Sequence, residues 1–316
     1  MPGKSSHTRL LIGLGFCLLL LLGSSCAASG NLSQFSQDGH QYDGGKWSPD
    51  GHWFAASIFP TDTIQLFSST GQDIRTFPSG CVLSGSGQLF AWLPDGRLSC
   101  FASNEPPYLQ IIALDARGNQ RSSTQIPVSI PFGLGIYSMQ WNPHHFWLAM
   151  VAESAPGNGL RTLYLLDYEG HSLLSPFQVN GDEVSWSPDG TTLAIVQENG
   201  DIVLWKVQQN ATGKLHLTKL RLLKAGTPVD ENVAWSPSGR WLVCRHRTYQ
   251  GEDYLFLLAT DGSGKQVKLT SPDTDGQLYD PAWSPDGKQL IVGRVSDGAL
   301  LSLNIAQLLK DKGVKP

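Results

Sequence analysis

The sequence predicts an all-β fold: a six-bladed β-propeller of four-stranded antiparallel blades, with the ring closed by the N-terminal strand. Three observations predict it. A Trp followed two residues later by Pro occurs six times, at Trp47, Trp92, Trp141, Trp186, Trp235 and Trp283, with intervals of 45, 49, 45, 49 and 48 residues. A repeat of that length is one supersecondary unit stacked many times. Gly is frequent (34 residues) and charged residues make up only 16% of the 316-residue chain, which suits short strands joined by tight turns. Finally, three strand-like segments recur in all six repeats, but a fourth follows only five of them.

The chain begins with a different kind of segment. Lys4 and Arg9 precede the apolar run Leu10 to Leu22, followed by Gly23, Ser24, Ser25 and Cys26. A charged start, an apolar middle and small residues are the pattern of an export signal. Residues 1–25 are therefore read as a signal peptide or membrane anchor. The run Leu-Leu-Gly-Ser-Ser-Cys resembles a bacterial lipoprotein signal, which implies Cys26 as the lipidation site. It departs in having Gly23, with Leu22 one place earlier, where Leu is usual. Cleavage near Ala27-Ala28 is one alternative. An uncleaved anchor is another, because no charge lies between Arg9 and Asp38 and about 20 apolar residues span a bilayer. Each reading puts the globular part outside the cytoplasm, membrane-anchored at the extracytoplasmic face, or periplasmic or secreted.

Residues 26–41 are read as a tether and closing strand, 42–305 as the propeller, and 306–316 as a short C-terminal helix and tail. Residues 280–295 show the unit. Asp280-Pro281-Ala282-Trp283 is a short strand A, and Ser-Pro-Asp-Gly is the turn. Pro presets φ for such a turn and Gly takes the positive φ that closes it. Strand B follows, as in Trp53–Ile58, Phe146–Val151 and Trp241–Cys244; its apolar content fits burial on both faces. Strand C comes next, as in Thr63–Phe67, Tyr108–Leu114 and Ala299–Ile305. Strand D is more polar, as in Ile74–Phe77, Lys219–Leu223 and Gln266–Leu269, which suits an edge. After Ile305 no strand D remains. The segment Asn31–Gln37 is expected to supply it and so close the ring.

This four-stranded unit around Trp-Ser-Pro-Asp-Gly resembles the TolB-type propeller repeat, a relative of the WD repeat, from about residue 38 to 305. Repeat 2 departs with Leu93, repeat 3 with Asn142 and His144-His145, repeat 5 with Ser238. The resemblance implies protein or peptide partners within the cell envelope.

In blade geometry strand A lines the central channel. Acids cluster just before the Trp: Asp43, Asp182, Glu183, Asp230, Glu231 and Asp280, with Asp273 and Asp275 nearby. Together they are expected to form an acidic arc at one channel mouth, on the face opposite the Ser-Pro-Asp-Gly turns. Such carboxylates can hold Ca²⁺ or the basic group of a peptide. The alternative is structural: an Asp here braces its loop through backbone N–H groups. The repeated Trp residues read as packing between blades, His144-His145 as an exposed turn variant, and Arg245-His246-Arg247 as a small basic patch that faces an anion or balances Asp253.

Five Cys are present. Beyond Cys17 and Cys26, the pair Cys81 and Cys100 is a disulfide candidate, which export permits. Cys100 and Cys244 read equally well as small core residues. A net charge of −4 and a pI near 6.0 argue against nucleic acid. No nucleophile elbow, zinc-protease or phosphate-loop motif occurs, and no hydrolase domain is expected in the 306–316 tail. The expected function is a non-catalytic binding or scaffold propeller of the cell envelope that needs no cofactor. The alternative is a metal-dependent six-bladed hydrolase or lactonase, with ligands from Asp43, Glu183, Glu231, Asn232 and Asp280.

Overall fold

Each Trp-Ser-Pro-Asp-Gly copy builds a hairpin by the same side-chain chemistry. In the first, the Ser48 hydroxyl donates to Asp50 Oδ1 (2.6 Å) and accepts the Trp53 N–H (3.0 Å). Gly51, at φ +72°, donates its N–H to the Ser48 carbonyl (2.9 Å). The same Ser–Asp contact recurs at Ser187 (2.5 Å) and Ser284 (2.7 Å). In repeat 3 the buried Asn142 replaces Ser and accepts the N–H groups of His144 (2.9 Å) and His145 (3.0 Å). His144 reaches the Pro188 carbonyl of the next blade (2.8 Å), and His145 stacks on Trp147 at 4.1 Å.

The computed structural model describes residues 31–314, except 62, 79–88, 103–107, 129, 131–134, 156, 227–228 and 249–250. Its strands form six four-stranded antiparallel sheets. Blade 1 is β2 (Gln41–Trp47), β3 (Trp53–Phe59), β4 (Thr63–Ser68) and β5 (Asp73–Pro78). Blade 2 is β6 (Phe90–Trp92), β7 (Leu98–Ala102), β8 (Tyr108–Leu114) and β9 (Gln120–Pro127). Blade 3 is β10 (Ile136–Trp141), β11 (Leu148–Glu153), β12 (Arg161–Leu166) and β13 (Phe177–Val179). Blade 4 is β14 (Val184–Trp186), β15 (Thr192–Val196), β16 (Ile202–Gln209) and β17 (Leu215–Leu223). Blade 5 is β18 (Val229–Trp235), β19 (Trp241–Arg247), β20 (Asp253–Ala259) and β21 (Gln266–Lys268). Blade 6 has β22 (Leu278–Trp283), β23 (Gln289–Arg294) and β24 (Leu300–Asn304). Two short helices are described, α1 (Pro272–Asp275) and α2 (Ile305–Asp311).

The outer strand of blade 6 is β1 (Leu32–Gln34), as the strand count predicts, with Leu32 opposite Leu303 and Gln34 opposite Leu301. The strand is shorter than the segment 31–37, and the residues after it lock the seam by other means. Phe35 is buried against the rings of Trp47, Phe54 and Phe67. The Ser36 hydroxyl accepts the Leu300 N–H (3.0 Å). The Tyr42 N–H donates to the Gly298 carbonyl (2.9 Å), and the Tyr279 hydroxyl donates to the Tyr42 carbonyl.

The core is not one mass. Six apolar clusters occur, and each draws its members from two neighbouring blades. Each repeat Trp sits in the seam with the preceding blade. The Trp92 indole N–H donates to the Lys46 carbonyl (2.9 Å), Trp141 to Ser99 Oγ (2.8 Å) and Trp235 to the Ser185 carbonyl (3.2 Å). Burying an indole of roughly 200 Å² at each seam explains why the Trp recurs in every blade.

Cys244 is a buried free thiol whose pKa burial pushes up. Cys100 is buried in β7 and disulfide-bonded; Cys81, the partner expected for it, lies outside the described residues, as do Cys26 and the N-terminal segment through residue 30. Among the described residues no helix is long and apolar enough to cross a membrane.

Candidate functional site: the central channel

The inner strands β2, β6, β10, β14, β18 and β22 surround a cavity of about 510 Å³ on the propeller axis. One end is lined by Glu183 and Asp280, the other by the Pro of every Trp-x-Pro turn: Pro49, Pro94, Pro143, Pro188, Pro237 and Pro285. The six repeat Trp residues line the wall between them. The turns were expected on the face away from the binding loops. Their prolines nonetheless form one end of the cavity, because Pro follows Trp by two residues and the short inner strand brings both to the axis.

A cation stands at the centre. Lys46 lies one residue before the Trp of blade 1, where the other copies have Ala91, Gln140, Ser185, Ala234 and Ala282. Its Nζ crosses from blade 1 to donate to the Met139 carbonyl of blade 3 (3.0 Å). Burial pulls its pKa down to about 8, while the charges of Glu183 and Asp280 act in the opposite direction. One ammonium thus couples blades 1, 3, 4 and 6. Sequence reading missed it, yet the signal was available: aligning the repeats leaves Lys46 as the one charged residue at that position.

The candidate acids separate. Glu183 and Asp280 are both 8% exposed and both line the channel. Asp280 has φ +47°, the one described non-glycine residue with positive φ. It sits where β22 bulges between Tyr279 and Ala282. Asp tolerates the left-handed region better than most residues, and a bulge re-aims side chains. In blade 1 the equivalent residue is Gly44, also left-handed (φ +98°) and in an equivalent bulge. A Cβ at Gly44 would collide with Asp280 Oδ2, so the carboxylate lies directly against bare backbone. Beside it, Asp43 is partly buried, which raises its carboxyl pKa. Burial first, then the charges of Asp280 and Asp43, push the Tyr279 phenol well above its usual range.

Among the acids whose side chains are described, Asp182 and Asp275 do not join this group. Asp182 turns to blade 3, where it accepts from Arg161 Nε; that guanidinium also covers the Tyr137 ring at 3.7 Å. Asp230 and Glu231 lie in the bulged stretch of β18, and their side chains, like that of Asn232, lie outside the description. Asp275 accepts the Ser271 N–H (2.8 Å) and so braces its own loop. Arg245 and Asp253 form a buried two-point ion pair (3.1 and 2.5 Å), the balancing alternative read from the sequence. His246 is buried beside the Tyr254 ring at 4.6 Å. A further group of metal-capable side chains, Asp167, Glu169 and His171, belongs to the turn between β12 and β13. There Asp167 Oδ1 accepts the Glu169 and His171 N–H groups (2.9 and 2.8 Å).

The channel therefore offers two kinds of surface. At one end carboxylates and an ammonium orient a polar or charged group. At the other, proline rings and indole edges present apolar area. Small and peptide ligands are held by this combination: apolar walls with a few convergent polar groups.

Comparisons with known proteins extend to the fold. No protein-family profile and no curated protein matches this sequence. Among solved structures, the chain is similar to a gluconolactonase from Xanthomonas campestris (14% identity, 88% of this chain and 91% of that one, TM-score 0.60). It is also similar to the β-propeller domain of Cps50 (Swd1) from Myceliophteria thermophila (13% identity, 87% and 99%, TM-score 0.58). TolB from Acinetobacter baumannii matches at 15% identity over 83% of this chain and 62% of that one, with a TM-score of 0.48. The chain is a six-bladed propeller, and its structural neighbours are proteins of mixed function.

Proposed function

We propose that this chain is a non-catalytic binding propeller of the cell envelope. In this reading it is exported, held at the extracytoplasmic face through its N-terminal segment with Cys26 as the lipid site, and recognises a protein or peptide partner at its channel. Lys46 carries the reading. The protein's own ammonium already stands among the carboxylates that a hydrolase would need for its metal. A hard divalent ion takes six to eight oxygen ligands, and placing one beside Lys46 sets like charges together at a buried site. The arrangement suits recognition better. Glu183 and Asp280 outnumber the single Lys46, so this end of the channel favours the basic group of a partner. The proline and indole end supplies apolar contact of the kind that dominates interface cores.

Photo-crosslinking in cells producing the full chain tests this. A photoreactive residue replaces Ala282 or Pro94, both lining the channel, or Thr218 on the exposed outer strand β17. The expected result is a discrete adduct from a channel position that disappears when Glu183→Gln and Asp280→Asn are added. Adducts from Thr218 alone overturn the reading. So does calcium-dependent stabilisation of the purified protein, which for a genuine site is about 4 kcal/mol at a thousand-fold excess over Kd.

A further inference from the structure

We propose that a polar cavity at the outer corner of blade 6 is a binding site for the phosphate of an anionic lipid headgroup. The inference rests on the membrane-anchored reading above and adds a contact that reading does not require. The cavity, about 490 Å³, is lined by Lys288, Lys310, Ser33, Ser302, Asn304 and Gln307, among others, and no carboxylate lines it. Two ammonium groups with hydroxyl and amide donors between them match a phosphate's charge and its several acceptor oxygens.

The position of this cavity is the second observation. In every blade the outer strand starts at the face that carries the Ser-Pro-Asp-Gly turns, because it follows the turn at the end of strand C. β1 takes the place of that outer strand in blade 6, so the chain enters the propeller at the turn face. The Asn31 carbonyl accepts the Asn304 N–H (2.8 Å) at this corner. Lys288 follows the last Ser-Pro-Asp-Gly turn, and its carbonyl accepts the N–H groups of Ile305 (3.0 Å) and Ala306 (3.3 Å) at the start of α2. The cavity and the entry point of the N-terminal segment therefore coincide.

Only Ala27 to Gly30 lie between Cys26 and Asn31. Five Cα steps at about 3.4 Å each reach roughly 17 Å. An acyl chain on Cys26 leaves this corner closer to the bilayer than the other blades. The uncleaved-anchor alternative places it equally near. Charge follows the same logic: residues 305–316 hold Lys310, Lys312 and Lys315 against the single Asp311, in a chain of net charge −4. Basic side chains within a Debye length of an anionic surface are attracted to it. Lys288 Nζ now pairs with Asp286 (3.1 Å), with both side chains more than half exposed. Such pairs are weak, so a headgroup phosphate can displace Asp286.

The test uses the full chain reconstituted in lipid nanodiscs of pure phosphatidylcholine, or of phosphatidylcholine with about one third phosphatidylglycerol, with a photoreactive residue replacing the exposed Gln307. The expected result is a phosphatidylglycerol adduct, read by mass spectrometry and reduced at least fivefold by Lys288→Glu with Lys310→Glu. Equal adduct yields in both disc types mean mere proximity and overturn the site. No lipid adduct together with broadening of the phosphorus NMR signal of millimolar inorganic phosphate, lost in Lys288→Glu with Lys310→Glu, identifies a free-phosphate site and overturns the lipid assignment. A chain that co-elutes with the discs but gives no adduct fails this inference alone. A chain that does not co-elute fails the anchored reading and this site with it.

Discussion

Blades 4 and 6 deliver an acid to the same ammonium by different backbone routes. In blade 4, Glu183 precedes a plain three-residue strand, β14, which pairs with β15 in unbroken register. The blade is assembled from consecutive residues, and its inner strand leans on one neighbour: the Val184 and Trp186 N–H groups donate to Ser138 Oγ (3.0 Å) and Gln140 Oε1 (2.7 Å) of blade 3. In blade 6, Asp280 is aimed by a bulge and a left-handed backbone. Its carboxylate rests on Gly44 of blade 1, and its blade is completed by a strand from the other end of the chain. The channel charge in blade 4 thus depends on the sequence-adjacent blade 3 alone. In blade 6 it is tied to ring closure, so damage to the seam reaches the site.

The largest break in this comparison comes from deleting residues 31–37. Blade 6 loses β1, and the rings that surround Phe35 are left without their central partner. A domain's net stability is only about 5–15 kcal/mol, and an open ring exposes a strand edge on β24 as well. The expected outcome is loss of a single cooperative urea transition, with recovery when a peptide of residues 31–41 is added. A truncated chain that unfolds like the full one shows that closure contributes nothing.

The sequence made the fold legible because each blade repeats the same solution to the same local problem. Trp at the seam recurs six times, Gly at positive φ in five of the turns and the Ser–Asp contact in three, with Asn142 standing in for it in blade 3. Ring closure was legible by counting. The site was less so, since it is built where the copies differ. Glu183 and Asp280 stood out as acids at one repeat position, but Asp182, one residue earlier, gave the same signal and turns to Arg161 instead. What separates them is bulge and side-chain direction, which depend on neighbouring blades. Lys46 was missed because acids drew the eye to the loop, while the ammonium enters the channel from one residue before the Trp.

A smaller effect sharpens the contrast between the two blades. Gly44→Ala meets a positive φ and the Asp280 carboxylate together, and the expected loss is about 2–3 kcal/mol in urea unfolding. Gly213→Ala, in the blade 4 turn between β16 and β17, has a similar φ (+82°) and nothing within 4 Å of the added Cβ. It carries the left-handed backbone cost alone, about 1 kcal/mol. Equal losses at the two sites would mean that Asp280 moves aside freely and that the blade 6 acid is no more constrained than the blade 4 acid.

The smallest effect is a pH dependence, and it addresses the ammonium that both acids share. Lys46 in the folded protein has its pKa pulled down to about 8 from an ordinary value near 10.5. Between these two values the unfolded chain binds the proton that the folded chain has released. Stability then rises with pH. The penalty for keeping Lys46 charged is present in full below pH 8, fades through the window and is gone above pH 10.5. Lys46→Met has no such group. The difference in unfolding free energy, wild type minus Lys46→Met, is therefore expected to increase from pH 8 to pH 10.5 and to be flat between pH 6 and pH 7. Repeating the measurement with Glu183→Gln and with Asp280→Asn separates the two blades. Each removes one charge that holds the Lys46 pKa up, so each starts the rise at lower pH. Glu183→Gln lowers stability only where Lys46 is charged and loses that effect above pH 10.5; if Asp280 is the acid locked by the seam, its removal lowers stability above pH 10.5 as well. A wild-type difference that falls with pH would mean that the carboxylates outweigh burial and that Lys46 is held charged by its site.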